Sequence, residues 1–171
     1  MNVFDASFLA AYEATMLAEG GYVLHEVKGD RGGQTYAGIS RKAWPKWRGW
    51  VDIDLGNKPD AGDVREFYRQ HFWEPLNLST LDPRVAATIY DFGVNAGVST
   101  AAKLAQIVVG ATPDGKIGPV TVSKIAAMDP EKFVLSYALA KVARYRDIVA
   151  RDRVQMKFLL GWLSRTLKAA A

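Results

Sequence analysis

The chain of 171 residues has no cysteine and only two histidines. The first absence removes disulfide frameworks, thiolate metal sites and cysteine nucleophiles together, so the fold must rest on packing. His25 and His71 come with no HExxH pattern and no carboxylates at ligand spacing, which favours structural or surface roles and argues against a metalloenzyme. GxSxG is also missing, and with it the serine-hydrolase elbow. No window approaches 18 uncharged apolar residues, and the opening "MNVFDASFLAAYEATMLAEGG" has no basic region and carries Asp5 and Glu13 inside its apolar stretch. The expectation is neither signal peptide nor anchor, and a protein that stays in the cytoplasm until something else releases it.

Two near-motifs fail on chemistry. "GATPDGKI" has phosphate-loop spacing up to Lys116, but Ile117 stands where a hydroxyl must hold magnesium, and Pro113 removes an amide donor. "DFG" at Asp91 to Gly93 has no HRD or β3 lysine beside it. Both read as turn or helix-packing sequence, leaving no nucleotide, metal or other cofactor to expect.

What is present fits one compact domain: 49% of the residues are apolar and 11% aromatic, enough at this length to bury well over half the unfolded surface. The net charge of +4 is uneven, with nine Lys/Arg against three Asp/Glu from Glu131 onward. Phe4, Phe8, Ala11, Tyr12, Thr15 and Met16 recur at helical spacing, with Asp5 or Ser7 as cap and Gly20-Gly21 as the end. Tyr22 to Ser40 is short, glycine-broken and rich in β-formers, predicting a hairpin or three-stranded ribbon turning at "KGDRGG". Pro45 breaks any helix in "AWPKWRGW", and Asp60 caps a helix through "DVREFYRQHFW" that stops before Pro75. Asp82-Pro83 and Asp129-Pro130 place a cap before a first-position proline, opening two more helices. On the second, Val134, Ala138, Val142, Tyr145 and Val149 predict an apolar stripe flanked by Arg144, Arg146, Arg151 and Arg153. A last helix holds "FLLGWLSRTL". The fold class is mainly α, with a small sheet near the front.

With other catalytic groups excluded, carboxylates remain. Glycosidic cleavage needs a proton donor with a raised pKa and usually a second carboxylate that activates water or stabilises an oxocarbenium-like state. Glu19, at a helix end before two glycines, fits a desolvated donor, and Asp30 and Thr35 could face it from the turn and the next strand. The plainer alternative is a solvated helix end with a glycine cap, and an ordinary turn at "GDRGG". Trp44, Trp47 and Trp50 suit either sugar stacking or a core.

"EGGY" followed by "GDRGGQTYAGIS" resembles the signature of glycoside hydrolase family 108, the N-acetylmuramidases of phage endolysins and prophage lysozymes. "FWEPLNLSTLDPRVAATIYDFGVNAG", "PDGKIGPVTVSKI" and "GWLSR" resemble the C-terminal half of the same proteins, often described as a peptidoglycan-binding region. The resemblance implies a lysozyme-like α+β fold of one domain, with residues 1–90 as catalytic lobe and 91–171 as helical lobe. It implies cleavage of the β-1,4 bond between N-acetylmuramic acid and N-acetylglucosamine, without cofactor, by a monomer that leaves nucleic acid alone. Glu19 becomes the general acid, with Asp30 and Thr35 positioning or activating water and Glu26 in reserve, since Arg31 replaces the usual proline after the aspartate. Tyr22, Gln34, Tyr36, Trp44 and Asn95 are the expected glycan-binding residues. Periplasmic peptidoglycan, reached from the host cytoplasm, is the expected partner, and the basic C-terminal helix is expected to meet the anionic envelope. A lytic transglycosylase and a non-catalytic wall-binding protein are the rival readings.

Overall fold

The structure is a computed structural model that describes residues 3–18, 20–26 and 33–170. The chain forms two compact units, Met1–His71 and Phe72–Ala171. The expected lobe boundary at 90/91 falls inside a single helix of the second unit.

In the first unit, α1 (Val3–Ala18) buries Phe8, Ala11, Tyr12, Thr15 and Met16, the helical spacing read from the sequence. It starts earlier than expected, at Val3, so Asp5 and Ser7 lie within it rather than at its cap; the apolar recurrence already included Phe4. Three short strands follow, β1 (Leu24–Glu26), β2 (Gln34–Tyr36) and β3 (Ile39–Ser40), antiparallel and in that order. The β2–β3 turn is Ala37-Gly38, both at positive φ (49° and 77°), the two-residue hairpin geometry usually filled by Asn-Gly. Alanine is strained there, and bonds on both sides hold it: its N–H donates to Val23 O at 3.3 Å, and its carbonyl accepts from the Tyr68 hydroxyl at 2.9 Å.

α2 (Gly49–Asp54) and α3 (Ala61–Tyr68) complete this unit. Asp60 caps α3, its Oδ1 accepting from Gly62 N–H at 2.7 Å. α3 runs on into a wider π-helical turn, Arg69–Trp73, just short of Pro75 as expected. Elements this short cannot stand alone, and an aromatic cluster joins them. Tyr36 stacks on Trp47, Trp47 meets Trp50 and Phe67 edge-on, and Trp50 Nε1–H donates to Trp44 O at 2.8 Å. Gly49 is needed here for space: a Cβ on it would run into the Trp47 ring.

The second unit is helical: α4 (Pro83–Ala96), α5 (Val98–Val108), α6 (Pro119–Ala126), α7 (Pro130–Arg151) and α8 (Met156–Ala170). Asp82 and Asp129 cap α4 and α7, accepting from Arg84 and Lys132 N–H, each at 2.9 Å. "DFG" is helix-packing sequence: Asp91 pairs with Arg165 at 2.9 Å, Phe92 meets Tyr137 edge-on, and Gly93 lies against Leu76. "PDGKI" is a turn clasped by Gln106, whose Nε2 donates to Asp114 Oδ1 and Lys116 O while its Oε1 accepts from Gly115 N–H.

The inner face of α7 differs from the expected stripe. Val134 and Val149 are buried and Ala138 and Tyr145 half-buried, but Val142 is exposed, and the buried row runs through Phe133, Tyr137 and Lys141. Lys141 is only 1% exposed, its amine 5.7 Å and 5.6 Å from the Phe92 and Tyr137 ring centres. A lysine in that row disguised it, because the aliphatic residues one step round the helix read as the better stripe. α7 also ends at Arg151, leaving Arg153 in the turn that follows. Among the described residues no helix is long and apolar enough to cross a membrane.

Candidate active site

The end of α1 is closed by backbone geometry that the two glycines make possible. Gly21 N–H donates to Met16 O at 2.8 Å, and Gly20 and Gly21 have φ of 84° and 77°, as in a Schellman-type helix stop. Glu19, between Ala18 and this turn, lies outside the described residues, as does Asp30. The strand carrying Glu26 is described, without its side chain.

From the glycine turn the chain folds back onto α1. Tyr22 is 40% exposed, and its hydroxyl is 2.8 Å from that of Tyr12. The phenol of Tyr36 is pushed up from its ordinary value, first by burial and then by the neighbouring Tyr22. Sheet register places His25, Thr35 and Ser40 side by side on one face, with Leu24, Tyr36 and Ile39 on the other. Thr35 is half-buried, next to exposed His25, whereas Tyr36 is 4% exposed and belongs to the core. Of the expected glycan-binding residues, Tyr36 therefore offers at most the edge of its ring.

Gln34 is held by Arg41, whose Nη1 donates to its Oε1 at 2.7 Å. The same guanidinium grips both oxygens of Asp54 at 2.7 and 2.6 Å and lies 5.3 Å from the Trp50 ring centre. That hydrogen bonding holds the Asp54 carboxyl below its ordinary value and raises Arg41. The sequence reading missed Arg41 and Asp54, since a pair 13 residues apart leaves no local pattern. Trp44 is half-buried and stands elsewhere in this unit, against Phe67 and His71. Asn95 belongs to the second unit, exposed on α4, its amide donating to Asp91 O at 2.6 Å. Register thus aligns Thr35 with His25 and Ser40, and places Gln34 and Tyr36 on the opposite side.

Among the described residues no three His, Cys, Asp or Glu side chains are grouped to hold a metal ion. The described part of this face offers the hydroxyls of Thr35 and Ser40 and the imidazole of His25, groups suited to hydrogen bonding and proton transfer.

The family model described as Glycosyl hydrolase 108 matches residues 12–97, and the one described as Predicted Peptidoglycan domain matches residues 100–167. Among solved structures, the chain is similar to that of Brucella abortus SagA, 23% identical, with 97% of this chain and 92% of that one covered and a TM-score of 0.73. No curated protein matches. The architecture is the mainly α, lysozyme-like one expected, with its three-stranded antiparallel sheet.

Proposed function

The chain belongs to the glycosyl hydrolase 108 family and is a glycoside hydrolase directed at peptidoglycan; from that premise we propose that it cleaves the β-1,4 bond between N-acetylmuramic acid and N-acetylglucosamine, as an endolysin. One observation carries the reading: the match over residues 12–97 contains Glu19, Asp30 and Thr35, and a match to a peptidoglycan domain follows in the same chain.

In this proposal Glu19 gives its proton to the glycosidic oxygen as the bond breaks. Asp30, with Thr35, orients and activates the water that completes hydrolysis. The glycine turn supports the reading, because without side chains at 20 and 21 the chain can reverse at once and bring the sheet back beside α1. The exposed Arg144, Arg146, Arg151 and Arg153 suit attraction to the anionic envelope, which weakens with salt. Lysis indifferent to ionic strength would remove that last part.

The test is turbidity clearing of purified Gram-negative sacculi by the parent and by Glu19→Gln, with circular dichroism confirming both folds. The amide is expected to lower the rate by about 10²- to 10⁴-fold, the usual share of a general acid. Equal clearing by the two refutes the role of Glu19, and 1,6-anhydro ends on the released muropeptides would make the enzyme a transglycosylase.

A further inference from the structure

The first unit contains a cleft of about 560 Å³ whose lining, among the described residues, does not include Thr35. The segment Ala43–Arg48 forms one wall, and α3 with the π-helical turn forms the other through Asp63, Glu66, Phe67, Gln70 and His71. Its volume falls within the roughly 300–1,000 Å³ usual for ligand sites. Three rings close on one another there: Trp44 to His71 at 4.4 Å, Phe67 to His71 at 4.6 Å and Trp44 to Phe67 at 5.0 Å. Single π-helical turns recur at functional sites because they re-aim side chains, and this one carries His71.

We propose that this cleft is a second glycan-binding site, taking an N-acetylated amino sugar of the strand apart from the sheet face that carries Thr35. The inference rests on the reading of peptidoglycan as substrate. Asp63 is paired with Arg48 at 3.0 Å, and both oxygens of Glu66 are taken by Arg69 at 2.9 and 2.7 Å. Those bonds from Arg69 hold the Glu66 carboxyl below its ordinary value, fixing it as a charged, occupied group.

The wall thus offers no free carboxylate, and its unpaired charge among the described residues is the Lys46 ammonium, a donor to sugar hydroxyl and acetamido oxygens. The wall also gives apolar ring faces to the C–H face and acetamido methyl of a sugar. Hydrogen-bonding capacity remains at its rim: Gln70 donates to Glu66 through Nε2 and leaves its carbonyl oxygen without a partner among the described residues. In the wall, Trp47 is 9% exposed and its Nε1–H is buried with no partner among the described residues.

Strand geometry separates this site from the face that carries Thr35. Trp47 stacks on Tyr36, and Tyr36 and Thr35 point to opposite sides of β2. A strand bound here is held without occupying Thr35.

The test titrates ¹⁵N-labelled full-length Glu19→Gln chain with tri-N-acetylchitotriose and, separately, with a free stem tetrapeptide. The five indole N–H signals are assigned by Trp→Phe variants. The expected result is a saturable shift of Trp44 and Trp47 with the sugar and none with the peptide, Trp73 and Trp162 staying in place. Gln70→Ala and Trp44→Phe, checked for folding by circular dichroism, should weaken sugar binding about two- to tenfold. In the otherwise unmodified enzyme they should raise KM for sacculi by a similar factor at unchanged kcat. Clearing of sacculi by the parent with no sugar-induced shift of Trp44 or Trp47 overturns the second site and leaves the hydrolase reading standing. Saturable shifts in a chain whose parent never clears sacculi support the site and refute the hydrolase. Shifts with the peptide alone overturn the choice of sugar.

Discussion

The two units reach compactness by different means. In Phe72–Ala171, helices of 8 to 22 residues satisfy their own backbones and need only pack. In Met1–His71, α2 has six residues and the strands three, three and two, so ring contacts among Tyr36, Trp44, Trp47, Trp50 and Phe67 substitute for regular structure. The contrast teaches where chemistry can be placed. A unit built from turns can present Thr35, His25 and the glycine stop at chosen angles, and the aromatic cluster beneath holds those turns still.

The sharpest way to break this comparison is a pair of truncations. Trp47→Ala and Phe133→Ala should each cost about 3–5 kcal/mol, read by urea denaturation, with only the former stripping hydrogen-exchange protection from β2 and β3. A cost below about 1 kcal/mol for Trp47→Ala would show that the strands hold themselves. Next in size, Gly49→Ala should cost about 1–3 kcal/mol, because its new methyl meets a ring fixed by its neighbours.

The smallest effect concerns the polar interior of the helical unit. Burial holds the Lys141 amine below the ordinary lysine value of 10.5, partly offset by the charge of Asp91. A base with a lowered folded pKa destabilises the fold while both states are protonated, and that penalty fades as pH rises through the folded value towards 10.5. Lys141→Met should therefore add about 1 kcal/mol at pH 7, and the gap between variant and parent should close as the solution is made alkaline. Burial also raises the phenols of Tyr137 and Tyr145, which weakens the fold at high pH, but equally in both proteins. A gap that stays constant with pH would mean that Lys141 finds enough compensation to titrate normally.

Much of the fold was legible wherever a side chain announced it. Asp60, Asp82 and Asp129 each cap the helix they were expected to cap. The helices that the sequence did not announce, α2, α5 and α6, start at Arg48, Gly97 and Gly118, none of which makes a side-chain cap bond. α6 does open on a first-position proline, Pro119, though with no capping side chain before it, while at α2 and α5 only tertiary packing marks the boundary, and packing is invisible in a single sequence. The site divides in the same way. The glycine stop and the strand that carries Thr35 could be read because they sit in a short contiguous motif. Arg41 with Asp54, and the cleft joining Trp44 to Gln70 and His71, could not, since they form only when distant segments meet.

The Ala37-Gly38 hairpin has a consequence for ageing. Tight turns of this shape are commonly Asn-Gly, whose side-chain amide the following backbone nitrogen can attack, closing a succinimide and leaving isoaspartate in the chain. A methyl group offers no such carbonyl. By accepting a strained alanine, the hairpin that carries Thr35 is spared this chemical clock, and it should keep its covalent structure through long storage at neutral pH.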